Sequence, residues 1–146
     1  MAFSSLASNL VPGDTNGVND IFIRNRRTKR TKRVSVSSSG AQANGSSHRP
    51  EPVIAAERFV GFWSFASNLV RGDTNRVMDA FVSDFATGRT RRVSVGAHGQ
   101  RNGPALSPGA RLSADGRFTA FGSLASNLVP GDSNGKNEVF VRGPLR

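Results

Sequence analysis

The sequence predicts an all-β protein of short antiparallel strands, about ten in number, with little or no helix. Three observations lead there. First, Ala7–Asp20, ASNLVPGDTNGVND, returns as Ala66–Asp79, ASNLVRGDTNRVMD, and as Ala125–Glu138, ASNLVPGDSNGKNE, each step being 59 residues. Phe3, Phe62 and Phe121 keep that register, as do Phe22, Phe81 and Phe140, and Arg33–Val36 returns as Arg92–Val95. A fixed period of this size marks a repeated supersecondary unit. Second, short aromatic and β-branched runs alternate with Gly, Asn, Asp and Ser clusters, the signature of strands joined by turns. Third, no window carries an apolar period of 3.6 residues, so helix is not expected.

The middle copy (46–100) is the complete unit. From Pro52, PVIAAE is a short apolar strand ending in a turn. Arg58–Ser64, RFVGFWS, suits a strand buried on both faces, because apolar residues occupy both alternating positions. The loop Ala66–Met78 follows, then the strand Asp79–Phe85, a tight turn at Thr87-Gly88, and the strand Thr90–Val95. In the last copy (101–146) the expected strands are Ala110–Ser113, Arg117–Ser123 and Glu138–Arg142, with the turn Ala114-Asp115-Gly116 between the first two. The first copy (1–45) lacks the first strand and part of the second. The units thus count roughly three, four and three strands.

Composition excludes several classes. The chain has 146 residues, 36% of them hydrophobic, with 16 Gly and no Cys. Disulfides, thiolate zinc sites and cysteine nucleophiles are therefore absent, and the redox compartment stays open. No apolar run approaches the ~18–20 residues of a transmembrane helix. The start, MAFSSLASNL, has no basic segment leading into an apolar one, so no secretory signal is predicted and the compartment is left unassigned. The formal net charge is +10, which favours a polyanionic partner. Arg24, Arg26, Arg27, Lys29, Arg30, Lys32 and Arg33 concentrate seven positive charges in ten residues.

The repeated loop holds the strongest candidate site. Asp14-x-Asn16-Gly17-x-x-Asp20 recurs as Asp73-x-Asn75-Arg76-x-x-Asp79 and Asp132-x-Asn134-Gly135-x-x-Glu138. Six of the ten acidic residues occupy its two outer positions. One reading is a weak calcium loop, with hard oxygen ligands at positions one, three and seven. The twelfth position, where such a loop wants a bidentate Glu, holds Asn25, Asp84 and Gly143. The other reading is a set of Asx-turns that stabilise a long connection. Copy two, with Arg76 in place of Gly, is the poorest metal site.

The basic run Arg24–Arg33 reads as a nucleic-acid or polyanion surface, or as a solvated outer hairpin. In register it overlies Ser83–Arg92, with Lys29 where Gly88 stands, at a turn position that prefers positive φ. No aromatics interleave, so base stacking is not indicated. Catalytic signals are thin. There is no Gly-x-Ser-x-Gly elbow, and His48 and His98 sit in loop-like stretches. Gly131-Asp-Ser-Asn-Gly135-Lys136 echoes a P-loop only faintly: its spacing is one short, and Asn137 replaces the Ser/Thr. Trp63 and Phe65 are expected to pack between repeats, the alternative being an aromatic that faces a ligand.

SADGRFTAFGSLASNLVPGDSNGKNEVFVR (Ser113–Arg142), with MAFSSLASNLVPGDTNGVNDIFIR (Met1–Arg24), resembles the TolB-like β-propeller repeat, a relative of WD-type blades. The resemblance implies antiparallel four-stranded blades stacked face to face. It also implies an incomplete propeller of about two and a half blades, and a non-enzymatic module for binding or scaffolding. Family members of this kind are often exported or envelope-associated. Such a chain would belong to a longer propeller, or would complete one with protein partners or copies of itself.

Overall fold

The computed structural model describes residues 1–48, 54–96, 99–100 and 110–145. His98 and the expected strand's Pro52 and Val53 lie outside them. The described residues form thirteen antiparallel strands and no helix, so none crosses a membrane as a helix.

Three sheets follow one another in the chain. The first consists of β1 (Ala2–Ser5), β2 (Asp20–Arg24) and β3 (Thr31–Arg33), in that order. The second is a meander of β5 (Ile54–Ala55), β6 (Phe59–Ser64), β7 (Asp79–Asp84) and β8 (Arg89–Arg92). A further strand, β4 (Ser47–His48), pairs the far end of the β6 edge that β5 occupies: Ser47 lies opposite Ser64, and Ile54 opposite Val60. A short ribbon, β9 (Val95–Gly96) with β10 (Gly99–Gln100), comes next. The third sheet has β11 (Arg111–Leu112), β12 (Thr119–Ser123) and β13 (Glu138–Arg142). The expected three, four and three strands are all present. β4 and the ribbon are additions.

Register follows the repeat. Phe3 lies opposite Phe22, Phe62 opposite Phe81, and Phe121 opposite Phe140. Each pair stacks, with ring centroids 5.7, 5.8 and 5.9 Å apart. Directly opposed aromatics of this kind stabilise a sheet beyond the area they bury.

The second sheet is the middle layer, and β6 is buried along its whole length. Successive side chains of a strand point to opposite faces. Val60, Phe62 and Phe81 therefore meet Ile21, Val34 and Ala43 on one side. Phe59, Trp63, Ala80 and Val82 meet Phe121, Phe140, Ala125 and Leu128 on the other. Trp63 packs edge-on against Phe121 with ring centroids 6.5 Å apart, as expected for a residue between repeats. Phe65 instead is exposed and contacts the His48 ring edge-on.

Candidate functional site

Each repeated loop begins and ends in the same way. The serine closing the preceding strand accepts a hydrogen bond from the alanine two residues on: Ala7 N to Ser5 Oγ, Ala66 N to Ser64 Oγ, and Ala125 N to Ser123 Oγ, at 3.0, 3.0 and 3.1 Å. Those serines sit opposite Asp20, Asp79 and Glu138, which open the next strand. Within the loop, the Asn side chain accepts from the amide two residues on. Val18 N, Val77 N and Lys136 N donate to Asn16, Asn75 and Asn134 Oδ1 at 3.3, 3.3 and 2.8 Å. This is the Asx-turn. The bend that follows has φ +65° at Gly17, +64° at Gly135 and +57° at Arg76. Arg76 holds a conformation that glycine adopts at no steric cost.

The carboxylates converge on a guanidinium. Arg33, at the end of β3, lies 3.0 Å from Asp14 and 3.3 Å from Asp20. Asp20 is fully buried; its Oδ2 also accepts from Asn16 Nδ2 at 2.9 Å, and its Oδ1 from Ser35 Oγ at 2.5 Å. Ser35 Oγ accepts in turn from Ile21 N at 3.0 Å. The second copy repeats the set. Arg92 lies 3.0 Å from Asp73 and 3.6 Å from Asp79, Asn75 Nδ2 donates to Asp79 Oδ2, and Ser94 Oγ donates to Asp79 Oδ1. Arg33 and Arg92 also donate to the carbonyls of Gly13 and Gly72 at 3.4 Å. A buried carboxylate held by three donors is well compensated. The network ties each loop to the strand that closes its sheet.

The third copy differs. Asn134 Nδ2 donates to Glu138 at 2.8 Å, but no guanidinium among the described residues meets Asp132 or Glu138. Partial desolvation and the neighbouring Glu138 push the Asp132 carboxyl up from its ordinary value. The described residues contain no cluster of three or more His, Cys, Asp or Glu with metal-site geometry. In the first two copies the twelfth loop position serves a hairpin turn instead. Asn25 Oδ1 accepts from Arg27 N and Thr28 N, and Asp84 Oδ1 from Ala86 N and Thr87 N.

Asp84 has a second role. Arg58 grips it with two bonds, Nε to Oδ1 at 2.8 Å and a terminal nitrogen to Oδ2 at 2.6 Å. That pairing holds its carboxyl well below the usual carboxylate range. The pair lines a cleft of about 400 Å³ between the second and third sheets, with Arg89, Arg91, Phe59 and Leu145.

The basic run divides. Arg26, Arg27, Lys29 and Arg30 are exposed on the turn between β2 and β3, and no ion pair involves them among the described residues. Lys29 has φ +57° where Gly88 has +76°, as its register position predicts. The other three are engaged: Arg24 donates to Thr31 Oγ1 at 2.8 Å, Lys32 Nζ to Phe85 O at 3.0 Å, and Arg33 belongs to the buried network. Among the described residues only Arg33 of the run is charge-paired; Arg24 and Lys32 bond neutral oxygens and keep their charge beside the four cations of the turn.

Arg33, Arg92, Ser35 and Ser94 are the structural partners that a search for acidic motifs alone does not find. Their signal is the Arg-Val-Ser-Val repeat, which keeps the same 59-residue period as the loops. No protein-family model matches the chain, and no curated protein matches it.

Proposed function

We propose that the chain is a non-catalytic β-propeller-type repeat module that serves protein interaction or scaffolding. The observation carrying this reading is the second sheet, buried on both faces by neighbours of the same repeat. Stacked units of this kind build surfaces from repeated edges and loops. The acidic residues most suggestive of chemistry are spent, in two copies of three, on an arginine of the same chain. Calcium at those two loops would have to share its carboxylates with a guanidinium, so the metal reading has less support there.

A second reading, binding of nucleic acid or another polyanion, is favoured by the four exposed cations at the hairpin tip. Titrating the chain against a DNA duplex at two salt concentrations separates the two. The module reading expects weak, sequence-independent binding that disappears between about 50 and 200 mM salt, as non-specific phosphate contacts do. Sequence-selective binding that survives the higher salt, and is lost when Arg26, Arg27, Lys29 and Arg30 become Ser, would overturn it.

A further inference from the structure

The two internal interfaces follow one stacking rule. The first sheet presents Ile21 and Ile23 to Val60, Phe62, Phe81, Ala66 and Leu69. The second sheet presents the register-equivalent Ala80 and Val82, with Phe59, to Phe121, Phe140, Ala125 and Leu128. The polar links repeat as well. Lys32 Nζ donates across the first interface to Phe85 O, and Arg91, one period on, donates across the second to Leu145 O. Each sheet thus has a forward face that receives the next sheet and a backward face, bearing the phenylalanine pair, that sits on the previous one.

Both ends of the stack keep these faces apolar and open. On the third sheet's forward face, Phe118, Val139 and Val141 are 40%, 76% and 70% exposed; their equivalents Phe59, Ala80 and Val82 are 5%, 0% and 5%. On the first sheet's backward face, Met1 is 62% exposed where Val60 is fully buried. Ala7 is exposed where Ala66 and Ala125 are buried, and Phe3 and Leu10 are only half-buried where Phe62 and Leu69 are fully so. Exposed apolar faces of this kind mark interaction surfaces.

We propose that these two faces form one interface: the first sheet of a second copy of this chain seats on the third sheet, head to tail. The proposal rests on the repeat-module reading and names its partner. What covers the open face is taken from the molecule itself, since the same backward face already covers the same forward face twice. Such a contact is heterologous, so the rotation per sheet decides between a closed ring and an open polymer.

Mass in solution tests it. The chain weighs 15.5 kDa, and its mass is expected to rise with concentration to multiples of that value. Val139→Asp and Ala7→Asp each alter a side chain exposed in the single chain, so both variants should keep the wild-type circular dichroism. Each alone is expected to stay monomeric, because each retains just one intact face. Mixed in equal amounts they should recover a two-chain species through the remaining pair of faces. A folded wild-type chain that stays monomeric across the concentration series overturns the proposal and leaves the module reading standing, with both faces then covered by something other than a copy of this chain. Association that survives either substitution, or variants that fail to pair when mixed, overturns it as well.

Discussion

Arg92 shows what one side chain contributes when its partners cannot reach water. It faces Asp73 and the fully buried Asp79, so Arg92→Met would take a guanidinium away from two carboxylates. Removing one partner of a buried ion pair costs about 3–5 kcal/mol, a large share of the ~5–15 kcal/mol that holds a domain folded. A chain of this length should melt on the order of 10 °C lower. Adding Asp73→Asn and Asp79→Asn to that variant should recover part of the loss, which separates stranded charge from lost packing. Asp84 makes a pH-dependent contribution. Its folded-state pKa lies below its unfolded value, chiefly because Arg58 binds it, so the stabilisation is complete above about pH 4 and is lost as pH falls through the folded value. In urea melts across pH, the gap between wild type and Asp84→Asn should stay constant at neutral pH and narrow in acid. A gap independent of pH would mean that the carboxylate's charge is not what stabilises.

At the scale of elements, the strands follow from alternation and the turns from local chemistry, with one conflict between them. Ala56 and Glu57 join β5 to β6 with φ +48° and +51°, and Arg58 N donates to Ala55 O at 3.0 Å. Within this three-residue connection, the four-residue turn Ala55–Arg58 with both central residues left-handed is the kind that favours Asn-Gly. Left-handed backbone costs a non-glycine residue roughly 1–2 kcal/mol, partly offset by glycine's greater chain entropy. Ala56→Asn with Glu57→Gly should therefore stabilise by about 1 kcal/mol, raising the melting midpoint by roughly 2–4 °C. An unchanged or lowered midpoint would show that Glu57 makes a contact worth more than the strain. The hairpin at Lys29 was legible from sequence, because register placed it on Gly88. The pairing of β4 with β6 was not. Ser47 and His48 lie in a Gly/Ser/Asn-rich stretch without alternation, and backbone bonds to Trp63 and Ser64 leave no trace in side-chain pattern.

For the whole molecule, the two cores share the second sheet, so neither outer sheet is expected to unfold alone. The chain's one tryptophan reports on this directly. Trp63 lies 3% exposed between the second and third sheets, and its fluorescence change on heating should coincide with the loss of sheet seen by circular dichroism. An earlier fluorescence transition would mean that the third sheet detaches first. The charge distribution also changes at this scale. Of the seven clustered cations, folding takes Arg33 into the network, while Arg24 and Lys32 bond neutral oxygens and keep their charge.

The sequence by itself determined the repeat, the strand order, the aromatic register and the burial of Phe59–Ser64 on both faces, because each follows from spacing along one chain; Arg58, expected in that strand, lies exposed in the turn before it. The partner of the acidic loop was decided by tertiary structure. Arg33 lies 19 residues from Asp14, and Arg92 stands equally far from Asp73; no local pattern tells whether a guanidinium, a metal ion or water will neutralise a carboxylate at such a separation. Only the closing of the first and second sheets brings the last arginine of β3 and β8 beneath its own loop. The same holds for the open faces. Val139 and Val141 keep the register of the buried Ala80 and Val82, and only the stack shows that they lie on an outer face of the described sheets.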